Sequence, residues 1–150
     1  MYDQILVPTD GSDHALAAAR HAFDIAETYG GTVHALFVVE TDTSLLSVSK
    51  ADVRASLREV REDAGRQALA AVEDLAGEFG APLVTAVREG VSDEEILAYA
   101  ADTDSDLVVM GTHSREGVRR RLFGSVTERV VRGATIPVMT VTAGPDGTQR

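Results

Sequence analysis

Short runs of β-branched and aliphatic residues alternate with longer stretches of helical period along almost the whole chain, and no other feature constrains the fold as strongly. Residues 4–9 (QILVPT) read as a first strand. Ser12 then offers an N-cap to an alanine-rich segment, 13–29, in which Leu16, Ala19, Phe23 and Ala26 share one face and Arg20, Asp24 and Glu27 lie opposite. Gly30-Gly31 stops that helix, and residues 32–39 (TVHALFVV) supply a second strand. A long helix is predicted from about Asp52 to Phe79, with Val53, Leu57, Val60, Ala64, Ala68, Ala71, Leu75 and Phe79 recurring every three or four residues. Residues 83–87, 107–110 and 136–141 read as three further strands, and 93–101 and 126–133 as helices.

Strand followed by helix, repeated and closing on a strand, predicts an α/β fold. Near-continuous apolar strands are buried on both sides, and right-handed crossovers place helices on both faces of an open parallel sheet. A length of 150 residues with 44% hydrophobic content suits one domain with a real core. That domain is expected over residues 1–141, followed by a flexible tail at 142–150, with residues 41–51 a polar connection of no clear period.

Composition narrows the function. The chain has no cysteine, so it offers no disulfide framework, thiolate nucleophile or cysteine-bound metal. Twenty-four acidic against 14 basic residues give a net charge of −10, which repels nucleic acid and anionic membranes. No 18-residue apolar stretch and no signal peptide are visible, so a soluble, cytoplasmic protein is expected. Lys50 is the only lysine, and this acid-rich surface suits either a high-salt cytoplasm or a genome biased toward arginine.

The chemistry concentrates between Gly111 and Ser125. A glycine-bearing turn leaves the fourth strand at Met110, and Gly124-Ser125 opens a helix; backbone amides in such a setting can wrap around phosphates. In open α/β sheets ligands bind beyond the carboxyl ends of the strands, where strand order reverses. If strands one and four are neighbours there, Pro8, Thr9 and Asp10 share a crevice with the loop from Gly111. Asp10 reads either as an acceptor for ribose or adenine or as a turn residue leading into the first helix. His113 lies in the loop, near any bound phosphate, whereas His14, His21 and His34 read as surface or half-buried residues without metal-site spacing. Arg115, Arg119, Arg120 and Arg121 are either phosphate clamps or a solvated basic loop, Arg115 being the better ligand candidate. Neither G-x-x-x-x-G-K-[ST] nor an early G-x-G-x-x-G is present, which argues against a Walker-type NTPase and a dinucleotide dehydrogenase. Ser12 or Ser114 with His113 and Asp10 lacks the G-x-S-x-G elbow of a serine hydrolase.

Taken together, these motifs resemble the universal stress proteins of the single-domain type. The resemblance rests on Pro8-Thr9-Asp10-Gly11-Ser12, on Val38-Val39-Glu40, on Asp106 to His113 as Asp-x-x-(V/I)-x-Gly-(T/S)-His, on Gly124 to Val130, and on Pro137 to Val141. It covers residues 1–141 and implies a five-stranded, Rossmann-like sheet of order 3-2-1-4-5, with adenine nucleotide in the crevice and a homodimer along the fifth strand, Ile136 to Val141. Pro137 suits such an edge. The family's G-x2-G-x9-G-[ST] falls on Gly111, Ser114 and Gly124-Ser125, so a serine stands where the middle glycine is expected. Its Cβ hinders close backbone approach and positive φ, although its hydroxyl could donate to a phosphate. By position, the resemblance implies that Asp10 and Val38 contact adenine, with Pro8 and Thr9 shaping that end. Met110, Gly111, His113, Ser114, Arg115, Gly124, Ser125, Val126 and Thr127 would surround ribose and phosphates, with ATP or another adenine nucleotide as ligand. Mg²⁺ is expected only as a bridge between phosphates, since the carboxylates do not cluster. The implied role is a regulatory stress-response module with an unidentified protein partner. Slow ATP hydrolysis and a nucleotide-free dimeric interaction protein remain as alternatives.

Overall fold

In a computed structural model the described residues are 1–40, 51–112 and 124–142, with the side chains of 51–54 outside the description. The elements run β1 (Gln4–Pro8), α1 (Asp13–Tyr29), β2 (Thr32–Glu40), α2 (Ala51–Ala76), β3 (Leu83–Gly90), α3 (Ser92–Asp102), β4 (Leu107–Thr112), α4 (Ser125–Gly133) and β5 (Val138–Thr142). All five strands pair in parallel, as the alternation predicts, in the order β3-β2-β1-β4-β5 that the family resemblance implies. Gln4 to Pro8 register with Thr32 to Leu36, and Ile5 and Leu6 with Leu107 and Val108.

Strand alternation splits the core into two clusters. Ile5, Val7, Val33, Ala35, Leu107 and Val109 face α1 and α2, where Ala18, Ala22, Phe23 and Val72 cover them. Leu6, Leu36, Val108 and Met110 face the other way, under Ile96 and Tyr99 of α3 and Val130 of α4. Truncating a fully buried side chain such as Leu6 to alanine would cost about 2–5 kcal/mol.

Local chemistry sets the helix ends. The Ser12 hydroxyl accepts from the Ala15 amide at the start of α1. Gly30, at φ 73°, adopts the left-handed conformation that closes it, donating to the Ala26 carbonyl.

Several boundaries differ from expectation. Strands β2, β3 and β4 extend beyond residues 39, 87 and 110, and β5 starts at Val138 rather than Ile136. Polar and glycine residues at strand ends carry no apolar period, yet their backbones pair. The predicted stripe of α2 also fails in its first half: Leu57 is 40% and Val60 65% exposed, and burial runs instead through Ala68, Leu69, Val72 and Leu75. A helix of 26 residues is about 39 Å long, against about 30 Å for the nine residues of β2, the strand it packs on most. Its early turns have little sheet beneath them. The connection from residue 41 to 50 and the predicted tail beyond Thr142 lie outside the described residues.

At the amino ends of the strands the polar groups are saturated. Asp106, just before β4, accepts the amides of Asp3 at 2.9 Å and Gln4 at 3.0 Å. His34, 8% exposed and so more buried than its sequence reading, places Nδ1 2.9 Å from the Tyr99 hydroxyl and Nε2 2.6 Å from Gln4 Oε1. An amide oxygen only accepts, so Nε2 carries the proton and Tyr99 donates to Nδ1. Burial pushes the His34 pKa down. Arg88 stacks 4.9 Å from the Tyr99 ring centre and pairs with Asp102 at 2.9 Å.

Candidate functional site: a crevice at the carboxyl ends of β1 and β4

The crevice arises because the central strand is shorter than its neighbours. β1 pairs with β2 as far as Pro8 opposite Leu36, and the Thr9 amide donates to the Leu36 carbonyl at 2.9 Å. β2 continues to Glu40 with only β3 beside it. Because polar groups on a strand alternate sides, the Val38 N–H and C=O point the same way as those of Leu36, into the gap that β1 has left.

Below that gap the chain turns sharply into α1. Gly11 sits at φ 85°, and Asp10 Oδ1 accepts from the Ser12 amide at 3.0 Å and the Ser12 hydroxyl at 2.5 Å. Partial burial pushes the Asp10 pKa up, but those two hydrogen bonds and the nearby His14 outweigh it and hold the carboxyl below the ordinary aspartate value. His14 Nε2 lies 3.0 Å from Ser12 Oγ. Since the hydroxyl proton already goes to Asp10, His14 must donate there. Asp10 thus serves as turn former and as a charged wall of the cavity, so the two readings of it are compatible.

β4 supplies the opposite wall. A Cβ on Gly111 would lie 2.3 Å from the His14 carbonyl oxygen, so only glycine lets β4 and the first turn of α1 approach this closely. Gly124 is the N-cap residue of α4, and no side chain caps the amides that follow. Glycine brings no side chain to cap that start, and among the described residues nothing lies within 4 Å of where a Cβ would project. The amides of the first turn and the positive end of the helix dipole are therefore available to an anion.

These features line one cavity of about 440 Å³, a volume within the range of small-molecule sites. It gathers Pro8, Thr9, Asp10 and Val38 from the β1–β2 side. Met110 and Gly111 come from β4, and Gly124, Ser125, Val126 and Thr127 from the start of α4. His113, Ser114, Arg115 and Arg119, Arg120 and Arg121 lie outside the described residues. The sequence reading missed His14, Glu40, Ser92, Ile96 and Thr112 as lining residues. His14 lies in the first turn of α1, two residues after the Ser12 cap that binds Asp10, and could have been found from that closeness. The Ser92 hydroxyl donates to Glu40 Oε1 at 2.7 Å, a pairing across 52 residues that no local pattern reveals. Among the described residues no three His, Asp or Glu side chains converge to hold a metal, and no helix is long and apolar enough to cross a membrane.

A doubly wound parallel sheet with a crevice at its switch point defines a Rossmann-like α/β protein. The sequence profile of the universal stress protein family matches residues 1–142, and the chain belongs to that family. It is 38% identical over 141 residues to universal stress protein MJ0531 of Methanocaldococcus jannaschii, covering 94% of this chain and 82% of that one. The structure of MJ0577 from the same organism superposes with a TM-score of 0.78 at 27% identity, over 95% of this chain and 96% of that one. A universal stress protein solved in complex with cAMP superposes with a TM-score of 0.72 at 25% identity, over 93% of this chain and 97% of that one.

Proposed function

We propose that this protein binds an adenine nucleotide, ATP or a close relative, in the β1–β4 crevice and acts as a nucleotide-responsive regulatory module of the stress response. The observation that carries the reading is the convergence of three complementary groups in one cavity: the main-chain edge of Val38, ionised Asp10, and the uncapped start of α4. Adenine carries a donor, N6, beside an acceptor, N1, and the Val38 carbonyl and amide complement that pair. Asp10 only accepts, which suits ribose hydroxyls. The amides of Ser125, Val126 and Thr127 suit phosphate oxygens. The cAMP complex of a universal stress protein supports the same ligand class. Any Mg²⁺ would be held chiefly by the phosphates, since no carboxylate cluster among the described residues could hold it alone. Cytoplasmic action would place the protein where such nucleotides are available.

A homodimer through β5 accompanies this reading. β5 is an edge strand, and its Met139 is 37% and Val131 of α4 45% exposed, so a second copy would cover apolar surface as it extends the sheet. Ligand-dependent change at that surface would give the regulatory partner something to read.

Calorimetric titration with ATP, AMP and cAMP, with and without Mg²⁺, tests the proposal on wild type and Ser114→Gly. Micromolar binding by wild type is the expected result. Ser114 in place of the motif's middle glycine favours one second reading, a nucleotide-free interaction protein. Binding only by Ser114→Gly would select that reading, and absence of binding by both variants would refute the nucleotide reading outright.

A further inference from the structure

Thr112 closes β4 and is only 2% exposed, and among the described residues its hydroxyl oxygen has no hydrogen-bond partner. His21 Nε2 is the other buried side-chain atom among the described residues without one, and His21 lies off the crevice, whereas Thr112 lines it. The contrast with Thr9 on the facing wall is direct, because Thr9 Oγ1 accepts the Gly11 amide at 3.1 Å. A buried hydroxyl without a partner is costly, and valine would fill the same space and suit a strand equally well without that cost. A ligand in the crevice would supply the partner that the described residues do not.

Strand alternation says where the side chain lies. Val108 and Met110 pack with Val130 of α4, and Thr112, two residues beyond Met110, shares their face. That face leads to the uncapped start of α4, where first-turn amides and the helix dipole favour an anion. We infer that the Thr112 hydroxyl is a ligand-binding group that donates to a phosphate oxygen of the molecule held in this crevice. The inference rests on the nucleotide reading above and deepens it: the phosphate is held by a side-chain donor from β4 as well as by main-chain amides of α4.

The test compares AMP, adenosine and inorganic phosphate by calorimetry on wild type, Thr112→Val, Thr112→Ser and Thr112→Ala, with the melting temperature of each ligand-free variant. Thr112→Val should weaken AMP by about tenfold or more, leave adenosine unchanged, and melt at or above the wild-type temperature when ligand-free. Thr112→Ser should retain the preference for AMP over adenosine, and Thr112→Ala should lose it whatever its own stability. Phosphate binding that depends on Thr112 would show that the free ion suffices. Equal AMP affinity in wild type and Thr112→Val would overturn this inference while leaving the nucleotide reading intact. A wild type that binds none of the three ligands overturns both.

Discussion

At the amino ends of the central strands, Asp106 accepts two backbone amides and His34 has both ring nitrogens engaged, by Tyr99 and Gln4. At the carboxyl ends of the same strands, among the described residues, the Val38 peptide edge that faces β1 has no strand beside it, α4 starts without a side-chain cap, and the Thr112 hydroxyl has no partner. The same sheet thus satisfies its polar groups at one end and leaves them available at the other. The difference teaches where to expect stability and where to expect binding, since an unsatisfied group costs free energy until a ligand completes it.

Substitutions should separate the two ends. The largest effect is expected for Gly111→Ala, because its Cβ would meet the His14 carbonyl at 2.3 Å and force β4 and α1 apart. A loss of about 3 kcal/mol or more in denaturant unfolding, together with loss of nucleotide binding, is the expected outcome. Asp106→Ala should cost about 2 kcal/mol, since it strips the acceptor from the Asp3 and Gln4 amides, but leave nucleotide affinity unchanged. If affinity falls in step with stability, the two ends are not independent.

Ser12→Ala should cost about 1 kcal/mol by removing the α1 cap, and it also withdraws one hydrogen bond from Asp10, so ligand affinity should change as well. A smaller effect concerns pH. His34 has a lowered folded pKa, so its contribution is complete above the unfolded histidine value of about 6.5 and is lost as the pH falls below it. Asp10 also has a lowered folded pKa, and its contribution is lost only below about pH 4, where unfolded aspartate titrates. Thermal melts between those values should therefore decline with acid in wild type and flatten in His34→Gln. An unaltered slope in His34→Gln would assign the acid sensitivity elsewhere.

How much of this was legible in the sequence depends on whether the signal was local. The strands and α1 announced themselves because β-branched runs and alanine-rich periodicity reflect burial directly. The crevice residues from Pro8 to Asp10 and Gly124-Ser125 were legible because turn and cap chemistry uses short motifs, whereas Val126 and Thr127 came only with the family resemblance. The α2 seam was not, since it depends on how far the sheet extends beneath a helix longer than the strands. Thr112 was hidden for another reason: in a strand its hydroxyl looks like ordinary β propensity, and only its burial without a partner singles it out. His34 was likewise read as partly exposed because its partners, Gln4 and Tyr99, are 30 and 65 residues away.

The brevity of β1 has one more consequence. The edge that faces the gap is made of peptide groups, and every amino acid except proline supplies the same pair of them. Replacing Val38 alters the shape of that wall but not its donor and acceptor. Lineages of such chains could therefore change most side chains around the crevice and still present the same two atoms to a flat ring. What a substitution cannot rewrite, an insertion could: two further residues on β1 would pair that edge and erase it. The ligand preference of this architecture would then be stored in a strand's length rather than in its letters.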